Sequence, residues 1–371
     1  MRIVLWSNSF WPHIGGVEVL GRHFATALTD RGHDVLVVVN RDDPDLPAHS
    51  ELGGVRIARV AFEDAITRRD PKAILVAQRE AVKIRTEFGP EVEHLYHGQG
   101  GEISCFALTA ARSQRPYLVS LHMSYRDEHM APGSTLRSLL GRAIAVTTCS
   151  DAVREQLIRQ APELARRTWA IANSLPSPVM EPTPLPFDPP VLFAAGRFTT
   201  QKGFDVALDA IALLDCRPHL VIAGAGVEGP ALEERKRALG LEDSVTFAGW
   251  VAPDDMPLWM NRATAVLMPS RWEPFGLVAL QAAQMARPVI ASSIDGLREV
   301  VVHGETGLLV PPDDPAALAD AIAALLGDAN QAAAMGRAAQ QRARETWPWV
   351  RHVDAYEKLY TQVLAQALHP S

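Results

Sequence analysis

The chain has little cysteine: three in 371 residues, Cys105, Cys149 and Cys216, far apart and with no CxxC pair. An odd, scattered set excludes a disulfide framework and a zinc knuckle, and it fits a reducing, cytoplasmic compartment. There is no apolar run near the roughly 18 residues that a spanning helix needs, and no long apolar stretch follows Arg2, so neither an inserted helix nor an export signal is expected. A basic excess is missing as well. Lys and Arg number 36 against 43 Asp and Glu, divided 21 against 21 up to Pro186 and 15 against 22 beyond it. A nucleic-acid binder leans on phosphate neutralisation, so that class is excluded, and an anionic ligand has to be met by a few placed donors. Aromatics are scarce at 6%, yet 47% of residues are hydrophobic and 21% charged, the balance of an ordered globule.

The length suits two domains, each with a core that needs no staples. Ile3–Trp6 reads as a strand, followed by Val17, Leu20, Phe24 and Leu28 at helical spacing, a Gly32 stop and the strand Val35–Val39. Further strands are expected at Val55–Val60, Tyr117–Leu121 and Ala143–Thr147, with helices near Ile103–Ala111 and over Asp151–Gln160. Seven prolines among residues 176–190 admit neither a helix nor a central strand, so this stretch reads as a semi-rigid linker. Alternation restarts at Val191–Ala195, Leu220–Ala223, Val245–Phe247, Ala265–Met268 and Val289–Ala291, with helices between them and three more towards the end. The expected class is α/β: two Rossmann-like, doubly wound domains, 1–175 and 191–346, facing across a cleft at the carboxyl ends of their sheets.

Several motifs fall at those carboxyl ends. Gly224-Ala-Gly226-Val-Glu-Gly229 matches a dinucleotide fingerprint, but the next strand ends in Gly249-Trp250 with no ribose-binding carboxylate, which argues against a nicotinamide cofactor and for a tight turn bordering a nucleotide pocket. Gly15-Gly16 opens the first helix, where backbone amides approach an anion or simply make a turn. Arg197 and Lys202, five apart between Gly196 and Gly203, can neutralise a diphosphate; such cations are also ordinary solvated surface charge, a reading that their place at a sheet's carboxyl end disfavours. Glu273-Pro274-Phe275-Gly276-Leu277-Val278 enters a helix carrying Gln281; a Glu there is also a common capping residue. His122 and His97 close strands, a position often filled by structural histidines. The stretch Arg68–Arg85 is basic and amphipathic, a pattern of lipid surfaces and of solvated helix faces alike.

Taken together, Gly15-Gly16, His122, Gly196-Arg197…Lys202-Gly203, Gly224-x-Gly226 and Glu273-Pro-Phe-Gly276…Gln281 resemble glycosyltransferase family 4, retaining enzymes of the GT-B fold. The resemblance covers essentially the whole chain and includes Gly304-Glu305-Thr306-Gly307. It implies a nucleotide-sugar donor of UDP, GDP or ADP type, a hydroxyl-bearing acceptor and no metal or other cofactor. Peripheral contact with the inner membrane face is the lipid-side reading of the basic stretch Arg68–Arg85, beside a solvated face. No partner protein is expected, and a final helix, 349–368, is expected to pack back on the first domain. Arg197 and Lys202 would hold the donor diphosphate, aided by the Gly16 amide and the Phe275–Val278 helix start. Gly224, Gly226, Trp250 and Val251 would border the nucleotide. Glu273 would accept from sugar hydroxyls, and His122 would contact the sugar near its reacting carbon. Acceptor choice would fall to Gly98–Glu102 and Met123–Pro132.

Two departures stand out. Relatives carry a second glutamate where this chain has Gln281, so a carboxylate for both ribose hydroxyls becomes a neutral amide. The run Ala172-Asn173-Ser174-Leu175-Pro176 replaces the usual Asn-Gly-Val-Asp continuation. The first departure motivates a rival reading, a nucleotide-sugar binder that has lost turnover; a GT-B-fold sugar-nucleotide epimerase is a second.

Overall fold

The computed structural model describes residues 1–13, 15–97, 116–185 and 188–368. The helix expected over Ile103–Ala111 and the loop Gly98–Glu102 lie outside the described residues. By its contacts the chain divides into two units, Met1–Asn173 with Val350–Ser371, and Ser174–Trp349.

The sheet of the first unit has strands β1 (Arg2–Ser7), β2 (Asp34–Asn40), β3 (His49–Leu52), β4 (Val55–Val60), β5 (Val92–His97), β6 (Tyr117–Leu121), β7 (Ala145–Thr148) and β8 (Thr168–Ala170). They are ordered β3-β4-β2-β1-β5-β6-β7-β8. Unbroken apolar runs such as Val35–Val39 suit strands covered on both faces, and every pairing is parallel except β3 with β4. The polar edge strand β3 and the three-residue β8 carry no hydrophobic alternation, so sequence pattern does not announce them. The helix Trp349–Leu368 completes this unit. His352, Tyr356 and Tyr360, one turn apart, present a buried stripe. His94 on β5 bridges the Tyr360 hydroxyl at 2.7 Å and Ser120 Oγ at 2.6 Å, while the Tyr356 hydroxyl lies 3.1 Å from both Ser120 Oγ and Thr147 Oγ1. Burial holds His94 neutral and pushes His352 down to about 4. On the outer side of the helix, Arg31 donates to Asp354 at 2.6 Å, and His33 meets Glu357 at 2.7 Å.

The second unit is a six-stranded parallel sheet, ordered β11-β10-β9-β12-β13-β14. Its strands are β9 (Val191–Ala195), β10 (His219–Ala223), β11 (Val245–Gly249), β12 (Ala265–Met268), β13 (Val289–Ser292) and β14 (Gly307–Val310). The order reverses between β9 and β12, so the loops leaving these two strands flank the switch point where open α/β sheets take ligands. The proline-rich stretch is grouped with this unit. The reason is local: Thr183 N–H donates to Asn261 Oδ1 at 2.6 Å, and Arg287 donates to Thr183 O and Asn261 O, each at 2.8 Å. Arg287 is fully buried, and that burial lowers its guanidinium to about 10.

Candidate functional site

The loop after β9 is zipped to the loop after β10. Gly196 N–H donates to Ala223 O at 3.0 Å, Phe198 N–H to Ala225 O at 2.8 Å and Glu228 N–H to Phe198 O at 3.0 Å. The backbones approach so closely that a Cβ at Gly224 would lie 1.9 Å from Gly196 O, and one at Gly226 2.5 Å from Phe198 O. Loop-on-loop packing therefore requires the fingerprint glycines at 224 and 226. Trp250, after β11, is exposed and Val251 half-buried.

On that platform the loop presents Arg197 and Lys202 differently. Arg197 is exposed, whereas the Lys202 ammonium donates to Glu273 Oε2 at 2.5 Å, with 16% and 11% of the two side chains exposed. The stem of Lys202 lies along Gly196, where a Cβ would come within 3.2 Å of its Cε. Gly203 turns in the left-handed region (φ 62°), and a Cβ there would strike Pro269 O at 2.0 Å, which locks the end of this loop onto the loop after β12. Gln201 Nε2 reinforces the lock by donating to Trp272 O at 3.0 Å.

Arg271 is the residue that sequence reasoning missed. Its guanidinium forks onto Asp205 at 3.0 and 2.7 Å, donates to Thr200 O at 2.7 Å and reaches Asp313 at 2.7 Å. Burial alone would raise the Asp205 carboxyl, but the hydrogen bonds and charge of Arg271 outweigh it and hold that carboxyl below its usual range. A bidentate clamp of this kind fixes the two loops against each other. The only sequence signal was an arginine beside Glu273, with its acidic partners 66 residues upstream and 42 downstream.

Glu273 does not cap the following helix, Leu277–Gln284. The cap position is Gly276 (φ 102°), without a side-chain hydrogen bond, so the first-turn amides of Leu277 and Val278 are left for an external acceptor. Gly296 N–H donates to Glu273 O at 3.2 Å and steadies the approach, and Phe275 is buried edge-on against Trp347. Gln281 is half-buried one turn beyond Leu277.

In the first unit, Gly16 starts the helix Gly16–Asp30, and Gly15 caps it with extended backbone and no side-chain hydrogen bond. The carboxylate of Glu18 folds over Gly15, where a Cβ would lie 2.3 Å from its Oε2. Buried Arg59 braces the preceding turn by donating to Trp11 O at 2.9 Å. His122, at the carboxyl end of β6, is buried, with Nδ1 3.1 Å from Asn173 Oδ1 and its ring 4.3 Å from that of Tyr96. Sequence reading missed Asn173, which falls in the run set apart only as a departure. His97 ends β5, and its side chain lies outside the described residues. Within Met123–Pro132, Tyr125 O accepts from Gln156 and Gln160 at 3.2 and 2.9 Å.

The basic stretch corrects one expectation. It spans the helix Pro71–Phe88 and the turn before it, with Asp70 as the cap, and Arg85 does not join a basic outer face: it is buried, 3.7 Å from Glu93. Among the described residues, no helix is long and apolar enough to cross a membrane, and no three His, Cys, Asp or Glu side chains gather as a metal-holding set.

Comparison with known proteins bears on both units. Residues 14–174 match the family described as Glycosyltransferase Family 4, and residues 189–328 match Glycosyl transferases group 1. The chain is 29% identical over 398 residues to a glycogen synthase of Mycobacterium tuberculosis, covering 97% of this chain and 94% of that protein. It is 30% identical over 397 residues to the D-inositol 3-phosphate glycosyltransferase of Acidothermus cellulolyticus, covering 95% and 86%. Anabaena Alr3699/HepE, solved in complex with UDP-glucose, shares the fold with a TM-score of 0.81 at 22% identity, covering 98% of this chain and all of that one. The chain belongs to glycosyltransferase family 4 and is a nucleotide-sugar glycosyltransferase of the GT-B fold.

Proposed function

We propose that the chain transfers a hexose-type sugar from a nucleoside-diphosphate donor to a hydroxyl acceptor with retention of configuration. The observation that carries this reading is the convergence of the loops after β9 and β12, which brings Lys202 to 2.5 Å from Glu273 beside the uncapped helix start at Leu277. Arg197 and Lys202 take up the charge that grows on the diphosphate as the glycosidic bond breaks, a role that needs no divalent cation. Gly16, Gly224, Gly226, Trp250, Val251 and the segment Phe275–Val278 are assigned to the donor. Glu273 accepts from sugar hydroxyls, and His122 meets the sugar near its reacting carbon. The acceptor oxygen bonds to that carbon on the face the nucleotide leaves, while its proton passes to the departing diphosphate oxygen. Glu273 is engaged by an ammonium group, unlike the paired carboxylates of glycosidases that work through a covalent intermediate.

Gln281 is assigned to the ribose. A neutral amide forgoes roughly 1–2 kcal/mol relative to a charged acceptor, so Gln281→Glu is expected to tighten donor binding about tenfold with little change in turnover. Calorimetry on the two proteins checks this; equal affinities would remove residue 281 from the ribose.

A thermal-shift screen of UDP, GDP, ADP and TDP with their sugars tests the reading as a whole. One nucleotide family at about 100 times its dissociation constant should add about 2.7 kcal/mol of stability, and its sugar form should be hydrolysed slowly without acceptor. No shift with any of them overturns the proposal. Tight binding without sugar release would point to a binder, and interconversion of the sugar without acceptor to an epimerase.

A further inference from the structure

We infer that Asn173 is a positioning residue for sugar transfer: its side-chain oxygen holds the proton of His122 on Nδ1 and leaves Nε2 as the lone-pair nitrogen that accepts from a hydroxyl of the transferred sugar. The inference deepens the reading above and rests on the role given there to His122. An amide oxygen only accepts, so the 3.1 Å approach of Asn173 Oδ1 makes Nδ1 the donor, and in a neutral imidazole the other nitrogen then accepts.

Three features make the arrangement a mount. Asn173 is itself buried, and its own N–H donates to Cys149 O at 3.2 Å, just past the end of β7, the strand paired with β6. Tyr96, on β5 at the other side of β6, lays its ring 4.3 Å from the imidazole at 43°, restricting rotation of the ring plane. A hydroxyl or a methyl group at position 173 would be too short to reach Nδ1 from the same backbone. Among the described residues, the titratable groups beside His122 include His94 and Tyr96 from β5, and the Cys149 thiol after β7 acts on Tyr96. Glu18, on the helix Gly16–Asp30, acts on Tyr96, and His352, on the last helix, acts on His94.

The test combines a direct reading of the tautomer with kinetics. Nitrogen NMR of the full-length protein, with the His122 signals assigned by their loss in His122→Ala, should show the proton on Nδ1. In Asn173→Ala that signature should disappear and kcat should fall at least about tenfold, with the donor KM little changed. Asn173→Asp keeps an acceptor, so Nδ1 stays protonated and most of the activity returns. Its new charge raises the imidazole pKa, so the ring becomes cationic at a higher pH and the acidic limb of the kcat profile moves upward. A residue that only supported the fold would lower stability in both variants and leave that limb in place. A wild-type proton on Nε2, or an Asn173→Ala protein with unchanged tautomer and turnover, overturns the inference. Should Asn173→Ala fail to fold, the wild-type tautomer and the Asn173→Asp pH profile decide alone. Wild-type turnover in His122→Ala would instead sink the role given to His122, while the NMR would still report whether Asn173 holds the ring.

Discussion

Arg197→Ala is expected to lower turnover by about 10²–10³-fold while changing the unfolding free energy by less than about 0.5 kcal/mol. The pairing of these two numbers follows from its exposure: the guanidinium supports no element of the fold, so its loss falls on the charge developing at the leaving group. Lys202→Ala should cost a similar factor in turnover but behave differently on unfolding. It leaves the carboxylate of Glu273, 11% exposed, without its ammonium partner and opens a gap beside Gly196, for a loss of about 1–3 kcal/mol. Adding Glu273→Gln to Lys202→Ala should recover part of the stability and none of the turnover. Denaturant titration and steady-state rates on the four proteins check this, and wild-type turnover in Arg197→Ala would take that residue out of the chemistry. On the proposed reading, one donor replaces both halves of an ion pair: its diphosphate takes the ammonium and its hydroxyls take the carboxylate.

Gly224→Ala is the second large effect, expected to destabilise the second unit by more than about 3 kcal/mol. A Cβ would sit 1.9 Å from Gly196 O on backbone held at φ 145°, and the neighbour that would have to yield is main chain, hydrogen-bonded in its turn to the strand loop beside it. Gly240→Ala is the matched control: it also has positive φ, 63°, but no atom within 4 Å of the added carbon, so it should cost only about 1–2 kcal/mol. Urea midpoints for the two variants measure the difference. Equal losses would mean that the loops after β9 and β10 separate readily.

Much of this architecture is legible because it is local. Val35–Val39 and Ala265–Met268 announce covered strands by composition, and the stripe of His352, Tyr356 and Tyr360 announces a helix with one face to hide. Strand ends also point to loops, which is why Arg197, Lys202, Glu273 and His122 could be singled out. What spacing could not supply was pairing across distance. Nothing in the order of residues links Arg271 to Asp205, or Asn173 to His122, since each contact depends on how strands far apart in sequence become neighbours. The edge strand β3 escaped for the opposite reason: it is polar and paired on one side only, so it lacks the hydrophobic alternation that marks its neighbours. The glycines at 224 and 226 pack tightly against the backbone of the loop next door, a contact that their spacing does not announce.

Arg287 alters how the middle of the chain is best divided. Its sequestered guanidinium is satisfied in part by Thr183 O, so a residue from inside the run of prolines is a structural acceptor for a side chain more than a hundred positions later. Excising the second unit from Val191 onward would strip that carbonyl away and leave the buried guanidinium one acceptor short, with Met260 O and Asn261 O still in place. The natural cut therefore lies ahead of the prolines, near Ser174, and these residues are the opening segment of the second body rather than a tether leading to it.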